Sequence, residues 1–169
     1  MMATDKYANQ AYVRVSPVLN TLSFEELATF VSVFEKKAFL INRVEYDLGV
    51  AGMLNQDAET DYVMFGLSTS DQFAVPDMSN AQVCDFNRII LVLTAAGVSS
   101  HLVEQPFVKD LSTLPAGGML VPCRPIYLWM QSEGWTAAGT LAARIFFTVV
   151  DLKAEEYWEL VEATRLVGA

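Results

Sequence analysis

The sequence predicts a single all-β domain, a sandwich or barrel of short strands with helices only at its margins. Three observations carry this expectation. Apolar residues recur with a period of two in several short runs, and turn residues separate those runs. No repeat, low-complexity segment or linker divides the 169 residues. Short strands at close spacing, bounded by turn signals, are the pattern of an all-β sandwich or barrel.

Taken in chain order, residues 1–22 read as an N-terminal arm ahead of the first patterned element. Ser23-Phe24-Glu25-Glu26 matches the capping box Ser-x-x-Glu and predicts one helical turn. Leu27, Phe30, Val31 and Phe34 continue a helical period, yet Thr29–Phe34 is rich in β-branched and aromatic residues, which favours a strand after that turn. Leu40–Leu48 places Leu40, Val44, Tyr46 and Leu48 on one face, with Arg43, Glu45 and Asp47 on the other. Asp61–Ser68 sets Val63, Phe65 and Leu67 against Tyr62, Met64 and Gly66. A short helix is expected around Asn80–Asn87, and the unbroken apolar run Arg88–Thr94 reads as a strand buried on both faces.

Leu102–Leu111 alternates around Pro106, which points to an edge or a bulge. Pro122 and Pro125 divide Met119–Gln131 into two strands, because proline cannot donate to a ladder. Ala143–Val150 alternates Ile145, Phe147 and Val149 against Phe146, Thr148 and Val150. Tyr157, Leu160, Val161 and Thr164 then recur at helical spacing, so a C-terminal helix is expected over 153–166, with Asp151 as its cap and Gly168 past its end. Turns fall at Val75-Pro76-Asp77, Leu114–Gly118, Gly134 and Gly139.

Composition narrows the function classes. The chain is 53% hydrophobic and 18% charged, with a net charge of −9. Disorder needs the opposite balance, low hydrophobicity with high charge. The longest uncharged run of interest, Ile89–Val103, has 15 residues and includes Ser99, Ser100 and His101. A membrane-spanning helix needs about 20 mostly apolar residues. No basic start followed by an apolar run marks a signal peptide. The apolar excess therefore belongs in a core and in contacts between subunits.

No Lys or Arg occurs between Arg43 and Arg88, while Glu45, Asp47, Asp57, Glu59, Asp61, Asp71, Asp77 and Asp85 all lie there. These carboxylates are expected largely on a solvated surface. No calcium loop is present: Asp57–Asp61 lacks the glycine and the distal glutamate that such a loop requires. The first 30 residues hold only Lys6 and Arg14 as bases. Displacing counterions from phosphates needs clustered Lys and Arg, so direct nucleic-acid binding is not expected.

Enzyme chemistry is disfavoured by counting. His101 is the single histidine, so one chain cannot build a multi-histidine metal site. His101 reads as a loop or strand-edge residue, and no Gly-x-Ser-x-Gly elbow, Gly-x-Gly-x-x-Gly or Walker motif occurs. No catalytic, cofactor or metal residue is assigned. Cys84 and Cys123 have no Cys-x-x-Cys spacing and admit two readings, buried thiols or one disulfide, of which buried thiols are preferred. Tyr127, Trp129 and Trp135 admit two readings, core or subunit contact on one side and a sugar-stacking surface on the other. Tyr157 and Trp158 read as packing anchors.

From Ala38 onward the order of segments resembles a known class. Ala38–Tyr46, Gly117-Gly118-Met119-Leu120-Val121-Pro122 leading into Arg124–Leu128, Ala143–Val150 and Glu155–Glu162 follow one another as in the single jelly-roll capsid proteins of icosahedral viruses. That set includes the small major capsid proteins of membrane-containing tailless viruses. The resemblance spans about 130 residues and rests on strand patterns rather than an invariant signature. It implies a jelly roll of about eight strands in two facing sheets. It also implies a non-enzymatic subunit that self-assembles into a shell, with copies of itself as partners in capsomers. A second coat protein or an internal membrane is a further partner class. The absence of a basic arm argues against direct genome binding. The expected location is the virion, after synthesis in the host cytoplasm. A carbohydrate-binding β-sandwich using Tyr127, Trp129 or Trp135 is the alternative.

Overall fold

Among the described residues ten strands pair into two antiparallel sheets, and one α-helix follows the last strand. The computed structural model describes residues 2–3, 9–27, 36–49, 60–92, 106–122, 124–135 and 137–166. The strands are β1 (Met2–Ala3), β2 (Asn9–Val18), β3 (Leu22–Leu27), β4 (Lys37–Gly49), β5 (Thr60–Ser68), β6 (Val83–Val92), β7 (Phe107–Asp110), β8 (Met119–Pro122), β9 (Ile126–Glu133) and β10 (Gly139–Asp151). The helix α1 spans Ala154–Leu166.

In the first sheet β10 lies between β4 and a shared edge made by β1 and β2, while β7 and β8 follow one another along the far side of β4. The second sheet has the order β3-β9-β5-β6. Chain connections pass repeatedly from one sheet to the other, the winding of a jelly roll. The core between the sheets takes Val13 and Val15 from β2 and Ile145 and Leu141 from β10. Opposite them stand Val63, Phe65 and Leu67 of β5 and Ile126, Leu128 and Met130 of β9.

Most strand expectations hold, and the differences have physical causes. Leu40 does not share a face with Val44, Tyr46 and Leu48. Arg43 pairs with Phe146 but Ile41 pairs with Phe147, so Asn42 is an extra residue in β4. That bulge reverses the alternation. Phe39 and Ile41 therefore join the core, while Ala38 and Leu40 face α1 on the outside. The capping-box motif at Ser23 forms no helical turn, because Ser23–Glu26 pairs with β9 from Met130 to Tyr127. Of the residues 1–22 read as an arm, Asn9–Val18 is a sheet strand. Thr29–Phe34 lies outside the described residues.

The helix expected near Asn80–Asn87 is instead a turn followed by β6. The Arg88–Thr94 run is not buried on both faces. Its described part, 88–92, belongs to β6, an edge strand, where Ile90 is 49% exposed. Asp151 is a strand residue paired with Lys37, and the first turn of α1 is capped differently. The Glu156 carboxylate accepts a 3.1 Å hydrogen bond from the Lys153 backbone N–H, the return half of a capping box.

Two close approaches explain residue choices. A Cβ on Gly66 would sit 1.9 Å from the Asp85 carbonyl oxygen, so β5 and β6 fit together only with glycine there. A Cβ on Gly139 would sit 2.1 Å from the Trp135 ring. Asn20, with φ of 49°, ties the β2–β3 turn to the end of β9. Its amide donates to the Trp135 carbonyl at 2.9 Å and accepts from the Trp135 N–H at 3.0 Å. Asparagine tolerates this left-handed conformation and imitates a strand neighbour with its side chain.

Candidate functional site

Three regions of the sandwich have a composition that core packing alone does not require. The first is a polar seam where the edge strands β6 and β7 bring the two sheets together. Asp85, 5% exposed, stands on β6. Its carboxylate accepts a hydrogen bond from the Tyr46 hydroxyl at 2.5 Å and one from the Asn87 amide at 2.9 Å. Lys109 of β7 forms a salt bridge to the same carboxylate. Burying a lone carboxylate is costly, and these three donors offset that cost.

In the acidic stretch Asp47, Asp71 and Asp77 are exposed as expected, whereas Asp85 is buried and the Glu45 side chain is only 15% exposed. Asp57 and Glu59 lie outside the described residues. Burial, the Asp85 charge and the hydrogen bond to it raise the Tyr46 pKa well above its ordinary value. Tyr46 is fully buried and neutral, a hydrogen-bond donor with no route to a substrate. Burial, with a smaller contribution from Asp85, pushes the neighbouring Cys84 thiol up to about 12. Cys84 is a free thiol that packs at the margin of the core. A thiol with so high a pKa is inert. Cys123 and His101 lie outside the described residues. Among the described residues no three His, Cys, Asp or Glu side chains group as metal ligands.

The second region is the outer face of the second sheet, which is sealed around Trp129. The loop between β5 and β6 folds back and sets Phe73 against Trp129, with ring centroids 6.0 Å apart. Phe86 meets Trp129 from the other side at 5.8 Å, and Met64, Phe24, Tyr62 and Val83 complete the cluster. The loop is pinned by a 2.8 Å backbone hydrogen bond from Thr69 to Gln82 and by Asp77, which accepts from the Ser79 N–H. Trp129 is 0% exposed and Trp135 is 3% exposed. Neither offers a ring face to a sugar, which favours the core reading of the two tryptophans over the sugar-stacking alternative. Trp135 and Trp129 are packing residues. Tyr127 is half-buried on the sealed side.

The third region is the outer face of the first sheet. At one end α1 covers it, setting Tyr157, Leu160 and Val161 over Ala38, Leu40, Leu120 and Val150. Among the described residues nothing covers the other end. Pairing aligns Tyr12, Arg144, Glu45 and Val108 in one row, and Arg14, Ala142 and Asp47 in the next. The single methyl of Ala142 leaves a groove of about 330 Å³ between Tyr12, Arg144, Glu45, Asp47 and Pro106. Glu45 bridges Arg43 at 2.5 Å and Arg144 at 3.6 Å. Sequence reasoning missed this groove. Its only signal was a small residue, Ala142, beside Arg144 in β10.

Comparison with solved structures bears on the winding of the two sheets. Merkel cell polyomavirus VP1 in complex with GD1a oligosaccharide superposes with a TM-score of 0.58, covering 90% of this chain and 98% of that one at 7% identity. The chain has the fold of polyomavirus VP1. Trichodysplasia spinulosa-associated polyomavirus VP1 in complex with GM1 oligosaccharide gives 0.54, with 88% and 97% covered at 9% identity. The unassembled pentamer of Merkel cell polyomavirus VP1 gives 0.52, with 90% and 98% covered at 8% identity. No protein-family model and no curated protein sequence matches the chain. At such identities the likeness to VP1 is one of fold, and it makes the all-β expectation specific: a single jelly roll over nearly the whole chain.

Proposed function

We propose that this chain is a viral capsid subunit that assembles with copies of itself into an icosahedral shell of the virion. The observation that carries the reading is the jelly-roll winding shared with VP1 over 90% of the chain. The VP1 pentamer is one form in which that fold associates. Surface composition supports the same reading. Ile90 on β6 and Phe107 and Val108 on β7 are 49%, 41% and 45% exposed, and they mark the two sheet edges at the seam. Unpaired edge strands with apolar side chains are disposed to pair with another chain.

In this reading the subunit acts by association rather than catalysis, and its buried carboxylate, Asp85, serves the fold, held by Tyr46, Asn87 and Lys109. The net charge of −9 and the sparse bases among the first 30 residues support a shell that does not itself grip the genome. A second coat protein or an internal membrane then lies within. Synthesis in the host cytoplasm precedes assembly. The test is light scattering and electron microscopy of the purified chain across protein and salt concentrations. Capsomers or particles are expected. A monomer at every concentration, with the fold intact by circular dichroism, overturns the reading.

A further inference from the structure

Residues 70–82, which join β5 to β6, are bonded to themselves and only lightly to the sheet they cover. Thr69 donates to the Gln82 carbonyl at 2.8 Å, which ties the two ends of the segment together. Inside it, Ser70 accepts from the Gln72 N–H at 3.1 Å, Asp77 from the Ser79 N–H at 2.8 Å and Asn80 from the Gln82 N–H at 2.9 Å. Its other hydrogen bonds stay within it or go to the flanking ends of β5 and β6. Among the described residues none crosses to β3 or β9, although the segment lies over both. Only Phe73 and Pro76 of the segment are buried. Phe73 meets the aromatic cluster, its ring centroid 4.9 Å from that of Phe24 and 6.0 Å from that of Trp129.

The covered cluster also contains polar atoms that the protein does not satisfy. Trp129 is fully buried, yet no described group accepts from its Nε1–H, and the buried Oε1 of Gln131 receives no donor. Strand alternation puts Gln131 on the same outer face as Trp129. Its paired neighbours there, Leu22 and Met64, belong to the Trp129 cluster.

We propose that residues 70–82 form a lid that lifts from the second sheet as a unit while the sandwich stays folded, and that the two unpaired polar atoms favour its lifting. A surface loop closed at its own base and held down mainly by one aromatic ring is built to open locally. Lifting breaks the ring contacts of Phe73 but no hydrogen bond to β3 or β9, and it gives Trp129 Nε1 and Gln131 Oε1 access to water. The surface uncovered is aromatic, made by Trp129, Phe24 and Phe86, with the indole N–H as a donor. Lid opening belongs to one copy of the chain and needs no assembly.

Two buried methionines distinguish lid opening from unfolding. Met64 lies in the covered cluster, and Met130 lies between the sheets. The full chain is treated with hydrogen peroxide at urea concentrations below the unfolding transition, and mass spectrometry follows the sulfoxide at each methionine. Met64 is expected to oxidise faster than Met130, with a shallower urea dependence, because lifting the lid exposes less surface than unfolding. Ile145→Val, a core change far from the lid, is expected to speed Met130 about fivefold and leave Met64 unchanged. Gln131→Leu, which removes the unpaired acceptor, is expected to slow Met64 about fivefold. A Met64 that follows Met130 in urea dependence and in Ile145→Val reacts only through unfolding and overturns the lid. A Met64 rate indifferent to urea and to Gln131→Leu reports fixed exposure and overturns it equally.

Discussion

Trp129 and Trp158 both lie outside the space between the two sheets, yet their surroundings are opposite. Trp129 sits on the outer face of the second sheet, where Phe73 and Phe86 close over it. Trp158 sits on a helix that itself covers part of the first sheet, and nothing described covers it in turn. One outer face is sealed by the chain's own loop. The other is half covered and then ends in a groove. Among the described residues the two outer faces are thus treated unequally, one packed by a loop of the chain and the other only partly covered by α1.

The largest test of that contrast is Trp129→Ala. Removing a fully buried tryptophan leaves a cavity between β9 and the Phe73 loop, at an expected cost of about 3–5 kcal/mol in chemical denaturation. A cost below about 1 kcal/mol would mean that the loop does not truly seal this face.

Asp85→Asn comes next, at the seam joining the two sheets. It removes the charge that Lys109 and the Tyr46 hydroxyl share, with an expected loss of about 2 kcal/mol, moderated because the Lys109 side chain is 32% exposed. Melting curves of the variant at neutral pH measure it. An unchanged midpoint would show that the sheets hold at this edge by apolar packing alone.

A smaller effect is expected in alkali. The Cys84 pKa rises from 9.0 to about 12 on folding, and that of Tyr46 rises above 10.0. The folded state holds protons that the unfolded chain releases, so their contribution is complete below pH 9 and is lost as pH climbs toward 12. The melting temperature should fall across that window, and in Cys84→Ala the fall should begin nearer the ordinary tyrosine value of 10.0. A flat profile would remove burial as the cause.

The smallest expected change is the most telling beside the first. Trp158→Ala should alter monomer stability by no more than about 0.5 kcal/mol. A loss comparable to that of Trp129→Ala would place Trp158 in the fold rather than on the surface.

Much of the architecture was legible because strand periodicity is local. Ile145, Phe147 and Val149 alternate inward as their spacing predicts, and Pro122 and Pro125 separate β8 from β9 as their missing donors require. Tyr157 and Val161 fall on the buried side of α1 for the same reason. The errors arose where partners are distant. Ser23 satisfies a local helix motif, but β9 supplies the hydrogen bonds for its strand. Asn42 looks ordinary in sequence, and only pairing with β10 makes it the bulge that turns Leu40 outward. Asp85 reads as one more surface acid until Tyr46, 39 residues away, and Lys109, 24 residues away, are brought to it.

The sequence by itself determined that this chain is apolar, acidic, built of alternating strands and ended by a helix, because those properties follow from composition and from neighbours within a few residues. Tertiary structure decided which edge carries the buried carboxylate and which tryptophan is sealed. It also decided that a groove opens over Ala142. Each of these depends on backbone pairing and loop placement between residues far apart in the chain, and no local period encodes them.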